Sequence, residues 1–244
     1  MCGRVGLAFD WKTVWDFLAL PGAPPPGGES RYNVAPSTPS RDGVDWRTLP
    51  ALRRFEDGHR IDNLTWPLVP HWLHGELPKY ATANCRTEPD QAFSETVSRK
   101  PAFRTAWRRD QRCVVLISWF YEWDPRSRPR QPWRVHPTES PILCLAGLWD
   151  RSTAADGQTR ESVTVLTTEP NATLRSIGHH RAPVLLDPGR LETWLSGPRS
   201  HAEAQLRPPP DHGLAAHRVT RRVNNPGYAE PDLLEAADEV EDRD

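Results

Sequence analysis

The chain of 244 residues is long enough to bury a sizeable core, as one large domain or two small ones, and its formal net charge of −1 excludes a uniformly basic or acidic protein. With 26 prolines, 11 tryptophans and little periodicity, the composition argues against a helical bundle and for many short elements joined by ordered loops. No apolar run is long enough to span a membrane and the N-terminus lacks a basic-then-apolar signal pattern, so a soluble cytoplasmic protein is expected.

In chain order, Cys2 follows Met1, and its small side chain lets an aminopeptidase remove that Met. Removal leaves an α-amine and a thiol on adjacent carbons. The amine adds to an aldehyde to give an imine, and the thiol closes on the imine carbon to give a five-membered thiazolidine. With ordinary pKa values of about 7.7–8 and about 8.5, both groups are partly nucleophilic near neutrality. The plain alternative is the second residue of a disordered terminus.

Gly3 to Ala8 reads as a short strand. Asp10 caps a helix bearing Trp11, Val14, Trp15 and Leu18, which Pro21-Gly22 stops. Arg31 to Pro36 is polar and extended, and residues 37–60 are hydrophilic with weak patterning. From Trp66 to Trp72, Pro67 and Pro70 exclude helix and predict an edge strand or loop carrying exposed aromatics. A helix is expected from Gln91 to Ser98. Arg112 to Ser118 reads as a buried strand. It leads into Trp119-Phe120-Tyr121-Glu122-Trp123, where a carboxylate among aromatics is a candidate proton carrier; a Glu on a solvent face is the alternative. Arg126 to Gln131 reads as a basic hairpin loop. Ile142 to Trp149 and Ser162 to Thr168 are core strands, and Pro170 opens a helix through Ile177. His179, His180 and Arg181 precede an apolar strand, as a titratable group at its mouth or as cations dressing a helix end. A short helix at Arg190 to Leu195 and a turn at Asn224 to Gly227 complete the reading, which is a strand-rich α+β single domain.

Cys2, Cys85, Cys113 and Cys144 form no C-x-x-C pair and lie at no zinc-finger spacing from His, so neither a metal nor a disulfide is expected. Charge is segregated. Between residues 99 and 134 there are ten Arg or Lys against three acids; between 229 and 244 there are eight acids against Arg243. The basic middle suits a phosphate-binding surface, with an ordinary solvated face as the alternative, and the acidic tail is expected to be disordered.

Ten stretches, in order, carry a family resemblance. They are Cys2-Gly3-Arg4; Tyr32-Asn33-Val34-Ala35-Pro36; Trp66-Pro67-Leu68-Val69-Pro70; Asn84-Cys85-Arg86-Thr87-Glu88; Lys100-Pro101-Ala102-Phe103-Arg104; Arg112-Cys113; Phe120-Tyr121-Glu122-Trp123; Ala146-Gly147-Leu148-Trp149; His179-His180-Arg181-Ala182-Pro183; and Val223-Asn224-Asn225-Pro226. The chain thereby resembles the SOS-response-associated peptidase (SRAP) family, the abasic-site-sensing proteins, over most of residues 2–235. The resemblance implies one SRAP-like α+β domain over residues 2–235, with barrel-like sheets and a few short helices, followed by a disordered acidic tail at 236–244.

The resemblance further implies that Cys2, once Met1 has removed itself, cross-links as a thiazolidine to the ring-opened abasic sugar of single-stranded DNA, by lyase-like Schiff-base chemistry. Glu122 is then the acid/base beside the amine, His179 opens the sugar, and Asn84 orients the sugar and the Cys2 terminus. Arg4 and Arg86 hold phosphates, Pro36 and Trp66 stack on bases, and Asn33 and Arg181 complete the DNA-binding set. No metal or cofactor is implied, and the protein is expected to be a monomer, nucleoid-associated when on DNA. Two other readings stand beside it: a thiol peptidase or amidohydrolase built on Cys2, His179 and Glu122, and a non-covalent single-stranded DNA-binding module. The chain departs from the family pattern at Pro67 and Trp119, where Gly is usual, and at Ala182 and Cys85, where Met and Ala are usual. The first two bear on the shape of the DNA groove.

Overall fold

Strands rich in Val, Leu, Ile and aromatic residues form the centre of the molecule, and a computed structural model describes residues 2–237. The elements are β1 (Val5–Asp10), α1 (Trp11–Phe17), β2 (Gly28–Val34), β3 (Thr38–Ser40), β4 (Gly43–Asp45), β5 (Arg47–Phe55), β6 (Gly58–Trp66), β7 (Asn84–Arg86), α2 (Phe93–Ser98), α3 (Pro101–Arg108), β8 (Arg112–Ile117), β9 (Trp119–Trp123) and β10 (Pro132–Pro137). There follow β11 (Leu143–Thr153), β12 (Thr159–Thr168), α4 (Ala172–Ser176), β13 (Ala182–Pro183), α5 (Leu191–Leu195), α6 (Arg199–Glu203) and β14 (Leu214–Arg218).

Strands β11, β8, β5, β6 and β12 pair in that order, and β12 pairs back with β11, which closes a five-stranded barrel. The short β7 joins β12 in parallel, with Asn84 opposite Val165. A second, antiparallel sheet runs β14-β10-β9-β1-β2. Every residue of β8 is buried, because both of its faces are covered. Val114 and Leu116 pack with Trp11, Phe93, Trp107 and Trp194 of the helices. Cys113, Val115 and Ile117 pack with Val5, Leu7 and Phe120 of the second sheet. A third cluster sets Trp119 and Tyr121 against Val219, Val223 and Leu233 of the C-terminal segment.

The α+β, strand-rich reading holds. Asp10 caps α1 as expected, accepting from the Thr13 amide at 2.8 Å. Several local expectations are corrected. Residues 37–60, read as weakly patterned, contain most of the long β5–β6 hairpin, registered from Arg47 opposite Trp66 to Phe55 opposite Gly58. The polarity is deceptive, because Arg53 is buried: its Nη2 pairs with Asp62 at 2.6 Å and Glu161 at 2.7 Å, and its guanidinium lies 4.5 Å from the Trp149 ring centre. The helix α3 was not expected. Helix α4 starts after Pro170, at Ala172, and is capped by Asn171, whose Oδ1 accepts from the Leu174 amide at 3.1 Å. Of the expected acidic tail, the Ala237 amide donates to the Arg218 carbonyl at 3.0 Å, and residues 238–244 lie outside the described residues. Among the described residues, no helix is long and apolar enough to cross a membrane.

Candidate active site

Strand pairing delivers the residues just before β1 to Glu122. Val5 stands opposite Phe120 and Gly6 opposite Trp119, and the Tyr121 amide donates to the Arg4 carbonyl at 2.9 Å. This lays Cys2-Gly3-Arg4 alongside Glu122. Side chains alternate along β9, so Trp119, Tyr121 and Trp123 share one face and Phe120 and Glu122 the other. Three of the four rings that flank Glu122 in sequence therefore point away from it. The carboxylate is nevertheless 2% exposed.

Four groups meet here. Asn84, at the start of β7, donates from Nδ2 to the Cys2 carbonyl at 2.8 Å. Among the described residues its buried Oδ1 has no hydrogen-bond partner. Cys2 is completely buried; that burial pushes its thiol up, and the Glu122 charge pushes it further. Glu122 Oε2 lies 2.8 Å from His179 Nε2, and His179 Nδ1 lies 3.0 Å from the Arg181 carbonyl. His179 reaches this place because Gly178 turns at φ +85°, where a Cβ would stand 2.8 Å from Arg126 Nε. Arg126 in turn donates to the Ser176 carbonyl at 2.9 Å and to Asp124 at 2.8 Å, docking the end of α4 on the β9–β10 hairpin. The expected catalytic set of Cys2, Asn84, Glu122 and His179 is thus brought together.

The expected DNA-binding set is placed less uniformly. Arg86 is exposed at the end of β7, and Pro36 is partly exposed. Asn33 is buried instead: its Nδ2 donates to the carbonyls of Val223, Asn225 and Tyr228, and its Oδ1 accepts from Arg4 at 2.8 Å. Arg4 also donates to the Val223 carbonyl, so these two residues clamp the C-terminal turn. Arg181 is 7% exposed, with Nη2 donating to the carbonyls of Thr87 and Thr167. The expectation of an exposed Trp66 is corrected. Its ring is fully buried in the core and its Nε1 donates to the Ala83 carbonyl at 3.0 Å, so it offers no face to a base.

Trp72, in the same stretch, is exposed as expected, and Tyr80 joins it. Trp72 is 41% and Tyr80 47% exposed, and their rings stack at 6.4 Å and 20°. They line a groove of about 470 Å³ together with Arg99, Lys100 and Phe103. Lys100 also donates to the Arg86 carbonyl, so the groove adjoins β7. The sequence carried a signal for Trp72, which lies beyond Pro70 and so beyond any strand; nothing in it marked Tyr80.

A family model described as SOS response associated peptidase (SRAP) matches residues 1–226. The chain belongs to that family. An "abasic site processing protein YoqW" of Bacillus subtilis (strain 168) is 28% identical over 243 residues, covering 97% of this chain and 100% of that protein. The "abasic site processing protein HMCES" of Xenopus tropicalis is 29% identical over 196 residues, covering 71% of this chain and 56% of that protein. A crystal structure of a Bordetella bronchiseptica protein superposes with a TM-score of 0.70 at 26% identity, covering 90% of this chain and 100% of that one. A Bacteroides thetaiotaomicron protein shares the fold, with a TM-score of 0.64 at 21% identity over 86% of each chain.

Proposed function

We propose that this protein processes abasic sites in single-stranded DNA by linking to them covalently through Cys2, as a thiazolidine that shields the lesion. The observation that carries this reading is the Glu122–His179 pair, 2.8 Å apart, beside a Cys2 held by Asn84. The names of the relatives support the substrate class.

The chemistry balances with these groups alone. Loss of Met1 bares the Cys2 amine. The Glu122–His179 pair gives its proton to the sugar ring oxygen and takes the C1 hydroxyl proton in return, which opens the hemiacetal to the aldehyde. The Cys2 ammonium passes a proton to Glu122 and its amine attacks C1. The carbinolamine takes a proton back and loses water to give the imine. The thiol then adds to the imine carbon, its proton going to the nitrogen, so the sum is aldehyde plus aminothiol to thiazolidine plus one water. Asn84 Oδ1 accepts from the Cys2 ammonium or a sugar hydroxyl. An abasic site offers no base to read, so binding rests on its neighbours. Arg86, Arg99 and Lys100 take phosphates, and Trp72, Tyr80 and Pro36 receive flanking bases. One chain supplies all of these groups, as a monomer requires.

A thiol peptidase would use the same residues. It needs a ready thiolate, and both the burial of Cys2 and the charge of Glu122 oppose one. The single proteolytic step is self-removal of Met1. Mass spectrometry of the purified protein, alone and after mixing with an abasic single-stranded oligonucleotide, tests the proposal. Loss of Met1 and a heat-stable adduct at the summed mass less one water are expected. A retained Met1 with no adduct would overturn it.

A further inference from the structure

We infer that Arg181 is a positioning residue that locks His179 in its Nδ1–H tautomer, so that Glu122 and His179 hold a single shared proton between Oε2 and Nε2. The tautomer follows from the contacts. His179 Nδ1 lies 3.0 Å from the Arg181 carbonyl oxygen, which can only accept, so Nδ1 carries a hydrogen. In the neutral ring Nε2 is then a bare lone pair. It stands 2.8 Å from Glu122 Oε2. Two lone pairs facing each other at that distance, with Glu122 only 2% exposed, would repel with little solvent to screen them. One proton therefore lies between them, held by the imidazole against the Glu122 carboxylate.

The carbonyl is held so that this arrangement persists. Arg181 is 7% exposed, and its Nη2 donates to the Thr87 carbonyl at 2.8 Å and to the Thr167 carbonyl. The next residues, Ala182 and Pro183, pair with Thr168 and Thr167 of β12. Before it, the His179 amide donates to the Leu174 carbonyl at 2.9 Å and the Gly178 amide to the Arg175 carbonyl at 2.8 Å. The segment is pinned on both sides of the imidazole. The guanidinium also ties β12 to the residue that follows β7, the strand whose first residue is Asn84. One buried side chain thus ties together the segments that carry His179 and Asn84. The pair can hand its proton to the sugar oxygen and recover one from the C1 hydroxyl, with no net change in its own charge.

The catalytic consequence rests on the proposed cross-linking; the tautomer does not, and the experiment separates them. Full-length protein labelled with ¹⁵N-histidine is titrated from pH 5 to 9 without DNA, with His179→Gln assigning the resonances. His179 Nδ1 is expected to keep its hydrogen throughout. A neutral ring protonated on Nε2 would overturn the inference whatever the DNA chemistry proves to be. Arg181→Met and Arg181→Lys, both of which lose the planar guanidinium, should mix the tautomers, change the pH profile of adduct formation, and slow it by up to roughly 10²-fold, the lower end of what general acid–base catalysis contributes. A variant that keeps the tautomer and loses only salt-sensitive DNA affinity would make Arg181 a phosphate ligand and overturn the positioning role.

Discussion

Asn84 donates from Nδ2 to the Cys2 carbonyl at 2.8 Å, tying the second residue of the chain to a strand that belongs to the other sheet. The bond fixes where the α-carbon of Cys2, and therefore its amine and thiol, must lie. Asn84→Ala leaves that carbonyl without its buried donor, a loss of about 1–3 kcal/mol of orientation. Single-turnover cross-linking to an abasic oligonucleotide should slow by roughly 5–150-fold, with little change in non-covalent affinity. Equal rates in variant and wild type would remove Asn84 from the orienting role.

Glu122 makes two opposite predictions at once. Burial raises the Cys2 thiol and the Glu122 charge raises it further, so the thiolate fraction is small at neutrality and grows as pH rises. In Glu122→Gln the second cause is gone, the thiol moves back toward its ordinary value, and alkylation of Cys2 by iodoacetamide should become faster at pH 8. Adduct formation should become slower, by about 10²–10⁴-fold, because the proton carrier is lost. Peptide mapping and denaturing gels read the two rates. If both rates moved in the same direction, Glu122 would be acting on the thiol alone.

The members of the candidate site were legible in the sequence, because Cys2, Asn84, Glu122 and His179 sit in short motifs that carry the family resemblance. Their convergence was not, since it depends on β1 lying against β9 and on the parallel placement of β7, neither of which a local pattern encodes. The same gap explains the errors. Trp66 was read as an exposed aromatic, but the packing around it buries a ring that sequence alone would leave at the surface. The β5–β6 hairpin was missed because Arg53, paired with Asp62 and Glu161, interrupts the apolar alternation while lying in the interior.

The groove beside Trp72 and Tyr80 gives a prediction that separates stacking from chemistry. In a Cys2→Ser background, which removes ring closure, Trp72→Ala and Tyr80→Ala should each weaken single-stranded DNA binding by about 1–3 kcal/mol, measured by fluorescence anisotropy. Lys100→Ala should instead lower the salt dependence by about one phosphate contact. Trp66→Phe should lower thermal stability and leave affinity unchanged, since its ring is inside the core. Loss of affinity in Trp66→Phe alone, with Trp72→Ala silent, would reverse the assignment.

Gly6 and Trp119 are coupled. They face each other across β1 and β9, and a Cβ on Gly6 would stand 1.9 Å from Trp119 Cε2. The indole cannot retreat: it is 2% exposed, stacks on Tyr32 at 6.0 Å, and lies 4.7 Å from the Arg134 guanidinium carbon. Where Gly is usual in the family, this chain has Trp119, and Gly6 supplies the missing space on the opposite strand. The indole faces the C-terminal segment, away from Glu122, so the departure leaves the reacting groups untouched. Gly6→Ala should cost about 1–3 kcal/mol or more through overpacking. It should also slow cross-linking, because β1 carries Cys2 past Glu122. Trp119→Gly should cost about 3–5 kcal/mol through the cavity it opens. In the double variant the Cβ has nothing to strike, so adding Gly6→Ala to Trp119→Gly should cost little and the two changes should be non-additive by about 0.5–3 kcal/mol. Urea midpoints at constant slope measure the coupling. Simple additivity would show that the strands can part to admit the methyl group, and that the β1–β9 register does not depend on this pair.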